Sequence, residues 1–201
     1  MEKAKFLIVG NIRSGTTWLQ VLLDKCKQVI CKNELRWLST TEPSNYRVHM
    51  GKGSFSFSSF LAGLGSSEKI LGSKLILDPQ EHSEEDLIAL FKTLDPNTRI
   101  IHVQRSYRDV LKSIIQNRGY DLDRENYDKS SSVLKGILEL QENFVSKEQK
   151  LSAQNCESIT KRLYKNDHIL SYIQSERNMY FSVDYDDIQK KLPEILQFIG
   201  L

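Results

Sequence analysis

Residues 10–17 read Gly-Asn-Ile-Arg-Ser-Gly-Thr-Thr, with two glycines and a closing hydroxyl at the spacing of a phosphate-binding loop. Backbone N–H groups at a helix start favour an anion, and the forked guanidinium of Arg13 adds a fixed charge. Thr16 stands where such loops carry lysine. In a triphosphate enzyme that lysine and a Mg²⁺ ion neutralise the β and γ phosphates, and an acid at the end of a later strand helps to hold the metal. Here the comparable strand end reads Gln104-Arg105. The loop therefore suits a guest with one 5′ phosphate-like group and no metal, held by Arg13, Ser14, Gly15, Thr16 and Thr17.

A second anchor is Arg105-Ser-Tyr-Arg-Asp-Val-Leu-Lys-Ser113. An arginine at a strand end and a serine about two turns into the next helix can grip another phosphate, the first bidentately and the second through its hydroxyl. Arg108 and Lys112 read as solvated helix-face charges.

Both anchors need strands that end beside them. Phe6–Val9 is a continuous apolar run closed by Gly10, the pattern of a strand buried on both faces. Lys74–Leu77, Arg99–Val103 and Met179–Val183 are further strand candidates. Helical spacing marks the chain from Thr16 through Cys26, the stretch after Ser83, Val110–Ile115, residues 133–151, roughly Glu157–Ile173, and Asp186–Phe198. Ser83 followed by Glu84, Glu85 and Asp86 is a helix start, and Asp95-Pro96-Asn97 is its stop. Residues 51–73, rich in Gly and Ser around three phenylalanines, read as a loop or lid. Strands alternating with helices predict an α/β fold of three layers, P-loop-like, with a central parallel sheet flanked by helices. Ligands in such folds sit beyond the carboxyl ends of the strands, where both anchors fall.

The 201 residues fit a single domain, and neither an internal repeat nor a linker interrupts them. A net charge of +2 gives no global basic field for nucleic acid. Cys26, Cys31 and Cys156 form an odd, scattered set without a CxxC pair, as free thiols in a reducing compartment would. Met1–Phe6 lacks the apolar core of a signal peptide, and no stretch has the length to span a bilayer. The expectation is a cytoplasmic protein without membrane or nucleic-acid partners.

The stretches "IRSGTTWL" and "RSYRDVLKS" together resemble the sulfotransferases that use 3′-phosphoadenosine 5′-phosphosulfate (PAPS), and the tail "FSVDYDDIQKKLPEILQFIGL" is similar to that family's closing helix. The resemblance runs from Phe6 to Leu201 and is carried by these anchors. It implies PAPS as cosubstrate and 3′-phosphoadenosine 5′-phosphate (PAP) as product. The 5′ group would lie in the loop from Arg13 to Trp18, the 3′ phosphate on Arg105 and Ser113, and the adenine near Tyr185. It also implies metal-free in-line transfer of the sulfuryl group to an acceptor hydroxyl or amine.

Cytosolic members carry Lys where Arg13 stands, a catalytic His at the position of Ile76, and a C-terminal Arg-Lys-Gly loop with no counterpart before Leu201. The tyrosylprotein-type branch is more similar. Its loop has Arg-Ser-Gly-Thr-Thr, and its base is a Glu reached through Val-x-Cys-x-x-Glu, which "VICKNE" matches at Glu34. That branch also places a Lys where Lys74 stands, to polarise the sulfuryl bridge. The competing base is His82, with His49 behind it, because histidine suits proton abstraction near neutral pH. His102 reads as core and His168 as helix face.

Trp37, Tyr46, Phe55, Phe57 and Phe60 are candidates to line an acceptor pocket, and the absence of an anchor favours a small-molecule acceptor. Two other functions compete. A P-loop nucleotide or small-molecule kinase would require Mg²⁺ and a loop lysine. A non-catalytic PAPS or nucleotide-binding module would bind without turnover.

Overall fold

The Phe6–Val9 run lies within strand β1 (Lys5–Asn11), at the middle of the sheet and buried on both faces as its unbroken apolar pattern requires. The structure, a computed structural model, describes residues 5–35, 47–50, 53–56, 69–77, 84–118 and 153–201. They fall into two compact units, residues 1–104 with 166–201, and residues 105–165.

The first unit holds the sheet. Its strands are β1, β2 (Val29–Leu35), β3 (Arg47–Met50), β4 (Gly53–Ser56), β5 (Ile70–Leu77), β6 (Arg99–Gln104) and β7 (Tyr180–Asp184), in the order β4-β3-β2-β5-β1-β6-β7. The five strands from β2 to β7 in that order run parallel, whereas β3 and β4 add an antiparallel edge beside β2. The helices are α1 (Thr16–Asp24), α2 (Glu84–Thr93), the part of α4 (Ala153–Glu176) that follows Lys165, and α5 (Ile188–Ile199) after a 3₁₀ turn at Tyr185–Asp187.

Alternation along β1 sorts the core into two layers. Phe6 and Ile8 join Leu19 and Leu23 of α1 and Ile188, Ile195 and Ile199 of α5. Leu7 and Val9 join Leu87 and Phe91 of α2 and Ile169, Leu170 and Ile173 of α4. Helices thus cover both faces, giving the three-layer α/β fold expected. Helix α2 ends where Asp95 accepts the N–H of Asn97 on its side chain (2.8 Å) and that of Thr98 on its carbonyl (2.9 Å), an Asx-type turn. The Arg177 guanidinium also donates to the carbonyls of Phe91, Leu94 and Asp95.

The four strand candidates are all strands, but β5 starts at Ile70, inside the stretch read as loop or lid. Strands β2, β3 and β4 were not anticipated: β2 extends the expected central parallel sheet to five strands, and β3 and β4 add the antiparallel edge. Lys32, Asn33 and Glu34 interrupt the apolar pattern of β2, which is why it escapes a periodicity reading.

In the second unit, α3 (Tyr107–Arg118) begins with a serine cap: the Asp109 N–H donates to Ser106 Oγ (3.2 Å), and that hydroxyl donates to the Asp109 carboxylate (2.5 Å). Tyr107 stacks edge-on against Tyr164 of α4, with ring centroids 5.3 Å apart.

Candidate functional site

The loop after β1 is held open by three backbone positions. Gly10 is the last residue but one of the strand, and a Cβ there would stand 2.5 Å from Ser14 Oγ and 2.8 Å from the Val103 carbonyl. Arg13 (φ 65°) and Gly15 (φ 102°) both take the left-handed conformation, on either side of Ser14, whose N–H donates to the Asn11 carbonyl (3.0 Å). Left-handed residues inside such a turn point successive N–H groups towards one concavity. Gly15 is the N-cap of α1, so the first N–H groups of that helix, at Thr16 and after, open on the same place.

Ser14 is 1% exposed, and its Oγ has no hydrogen-bond partner among the described residues. A buried hydroxyl left unmatched in an anion-shaped turn fits a phosphate-type ligand, which would supply the missing acceptor. Arg13 is exposed at the rim, Thr16 is buried and Thr17 is exposed. Among the described residues, no group of His, Cys, Asp and Glu has the makings of a metal centre.

Tyr185 and Trp18 wall the loop. A Cβ on Gly15 would run into the Tyr185 ring, and that ring lies 5.3 Å from Trp18 at an interplanar angle of 56°. Tyr185, expected near the adenine, is therefore packed on the loop glycine itself.

The lysine absent from the loop arrives from another strand. Lys74, on β5 and only 6% exposed, donates from Nζ to Thr17 Oγ1 at 2.7 Å. In the ladder Lys74 stands level with Ile8 of β1 on one side and with Glu34 of β2 on the other. A register shift in β2 between Ile30 and Asn33 precedes this pairing, and without it Asn33 would stand opposite Lys74. Glu34 is also paired with His49 of β3, so one row crosses three neighbouring strands at His49, Glu34 and Lys74.

Cys31, three residues before Glu34 on β2, is buried with its thiol pushed up to about 12, by desolvation first and by Asp24 second. It is no nucleophile at neutral pH. Ile76, at the position where a histidine would serve the cytosolic sulfotransferases, is a half-buried aliphatic on β5. His82, Trp37, Tyr46, Phe57 and Phe60 lie outside the described residues.

A buried clamp that the sequence reading missed lies under the loop. Asn166 on α4 is 1% exposed, and its Nδ2 donates to Asn11 Oδ1 and, at 3.0 Å, to the Leu77 carbonyl. Asn11 and Leu77 are paired at the ends of β1 and β5, so one amide ties both strand ends together. The signal was present. Asn166 shares a helical stripe with Ile169, Leu170 and Ile173, and a polar residue on such a stripe needs buried partners.

Two histidines are accounted for elsewhere. His102 is buried on β6, with Nδ1 2.7 Å from the Tyr180 hydroxyl and its pKa lowered to about 4 by desolvation. His168 is exposed on α4, 2.6 Å from Glu84. In the second unit, Arg105 directly follows β6 and Ser113 sits in the second turn of α3; both are half-buried.

Comparison with solved structures gives a crystal structure of a sulfotransferase from Alicyclobacillus acidocaldarius, at 11% identity and a TM-score of 0.53, over all of this chain and 82% of that one. A mouse sulfotransferase complexed with PAP is matched at 17% identity and a TM-score of 0.45, and this chain spans 59% of its length. The first likeness is one of fold. No curated protein matches the sequence. Residues 3–201 match the sulfotransferase domain, and the chain belongs to that family.

Proposed function

We propose that the protein moves the sulfuryl group of PAPS to a hydroxyl or amine of an acceptor, by the metal-free route of the tyrosylprotein-type branch. The observation that carries this is the pairing of Lys74 with Thr17. A loop without its own lysine receives one from β5, as that branch does. Membership of the sulfotransferase family supports sulfuryl transfer in general.

In this reading Arg13 and the loop N–H groups from Ser14 to Trp18 hold the 5′ phosphosulfate, and Arg105 with Ser113 hold the 3′ phosphate. Arg13 acts electrostatically, because a guanidinium keeps its proton. Glu34 accepts the acceptor's proton as its oxygen attacks sulfur. The S–O bond to the 5′ phosphate breaks, and Lys74 stabilises the charge that develops on that phosphate oxygen as PAP leaves. Tyr185 and Trp18 border the nucleotide. The acceptor is a small molecule, and the 201 residues act as one cytoplasmic domain.

The test is turnover. Purified protein given PAPS and a panel of phenols, alcohols and amines is expected to release PAP in step with sulfated product. Binding of PAP without acceptor-dependent release across the panel would leave a nucleotide-binding module instead.

A further inference from the structure

Asn11 and Leu77 are the last residues of β1 and β5, and each stands next to one half of the nucleotide site. From Asn11 the chain enters the loop, and the Asn11 carbonyl takes the Ser14 N–H at 3.0 Å. Three residues before Leu77 stands Lys74, whose ammonium donates to Thr17. The two strand ends are paired in the ladder, and the Asn166 side chain bridges them from α4. Chemistry fixes the orientation of that amide. The Leu77 carbonyl can only accept, so Nδ2 must face it, and the same nitrogen also donates to Asn11 Oδ1.

Packing alone does not call for an amide at this position. Ile169, Leu170 and Ile173 fill the same stripe of α4 with aliphatic carbon, which needs no hydrogen-bond partner when buried. What Asn166 adds is two donors on one atom, each directed at a different strand. From this we infer that Asn166 is a positioning residue: it fixes the phosphate loop against Lys74 by holding together the strands that carry them. This rests on the functional reading above, in which the loop and Lys74 share one nucleotide. It extends that reading to a side chain that is 1% exposed and acts only through Asn11 and Leu77.

Calorimetry with PAP, run well below the melting temperature, tests the role. Asn166→Ala is expected to bind PAP about tenfold more weakly, the scale of one hydrogen bond lost from a displaced cradle. Asn166→Asp separates positioning from bulk stability. Its ionised carboxylate has no proton for the Leu77 carbonyl, whereas its protonated form donates through O–H, and burial favours the protonated form as pH falls. The affinity of Asn166→Asp relative to wild type should therefore rise from about tenfold weaker at pH 8 to within about threefold at pH 5.5. Groups common to both proteins, among them Asp167 next in the helix and the phosphates of PAP, cancel in that ratio. A ratio that ignores pH, or an Asn166→Ala protein that melts earlier yet binds PAP as wild type does, would overturn the inference.

Should both variants fail to fold, Asn11→Ala leaves Asn166 on Leu77 and releases only the loop side. PAP binding weaker by about threefold or more is then expected, and unchanged binding would refute the positioning role. If the wild type does not bind PAP at all, the functional reading fails. If it binds and the variants match it, only this inference does.

Discussion

Lys74 and Thr17 lie 57 residues apart in the chain and 2.7 Å apart in the fold. Strand β5 and helix α1 meet at this contact, and it places an ammonium at the mouth of a loop that lacks its own lysine. The cradle around it depends on the left-handed backbone at Arg13 and Gly15.

Gly15→Ala is expected to weaken PAP binding and lower the melting temperature. An L-residue at a φ of 102° is strained by about 1–2 kcal/mol, and its Cβ would displace the Tyr185 ring. Thermal melts with and without PAP read both effects. Unchanged binding would mean that the loop does not hold the nucleotide in this conformation.

Arg105→Ala and Ser113→Ala are expected to weaken PAP, arginine the more, since charged hydrogen bonds contribute about 1.5–3 kcal/mol and neutral ones nearer 1. Adenosine 5′-phosphate, which has no 3′ phosphate, should bind wild type and Arg105→Ala alike. Equal losses for both ligands would remove the 3′-phosphate assignment.

Asn166→Ala should cost about 1–3 kcal/mol of stability, because it strips the Asn11 side chain of its buried donor and the Leu77 carbonyl of one. Combined with Asn11→Ala, the loss should fall short of the sum, as expected of two members of one network. Urea unfolding of the two single variants and the double variant measures the coupling. Full additivity would deny the clamp.

Stability should fall as the solution is acidified below about pH 6.5. His102 titrates near 4 in the fold and near 6.5 unfolded, so between those values the unfolded chain binds the extra proton. The contribution present at pH 7 is lost progressively, about 2 kcal/mol by pH 5. His102→Gln, which can still bond to Tyr180, should flatten that part of the pH dependence. An unaltered slope would show that other groups govern it.

The sequence disclosed those parts of the fold whose burial leaves an apolar run. Strands β1, β6 and β7 are such runs, and Gly10, Gly15 and Thr17 mark the loop directly. Strand β5 was half hidden, because Gly72 and Ser73 continue the Gly/Ser pattern of the preceding stretch although both are buried. The edge strands β3 and β4, at four residues each, are too short to show a period. At the site, Lys74 was legible only through a resemblance, since spacing cannot say that β5 lies beside β1. The pairing of Glu34 with Lys74 depends on a register shift, which no linear pattern announces. Asn166 was legible in principle and overlooked; its partners lie 155 and 89 residues away.

The central claim is that this loop serves a single 5′ phosphosulfate without metal, and calorimetry with two nucleotides tests it most directly. The account predicts that PAP binds equally well in EDTA and in Mg²⁺, and that ATP binds weakly in either. Tight ATP binding that requires Mg²⁺, with no response to PAP, would contradict it.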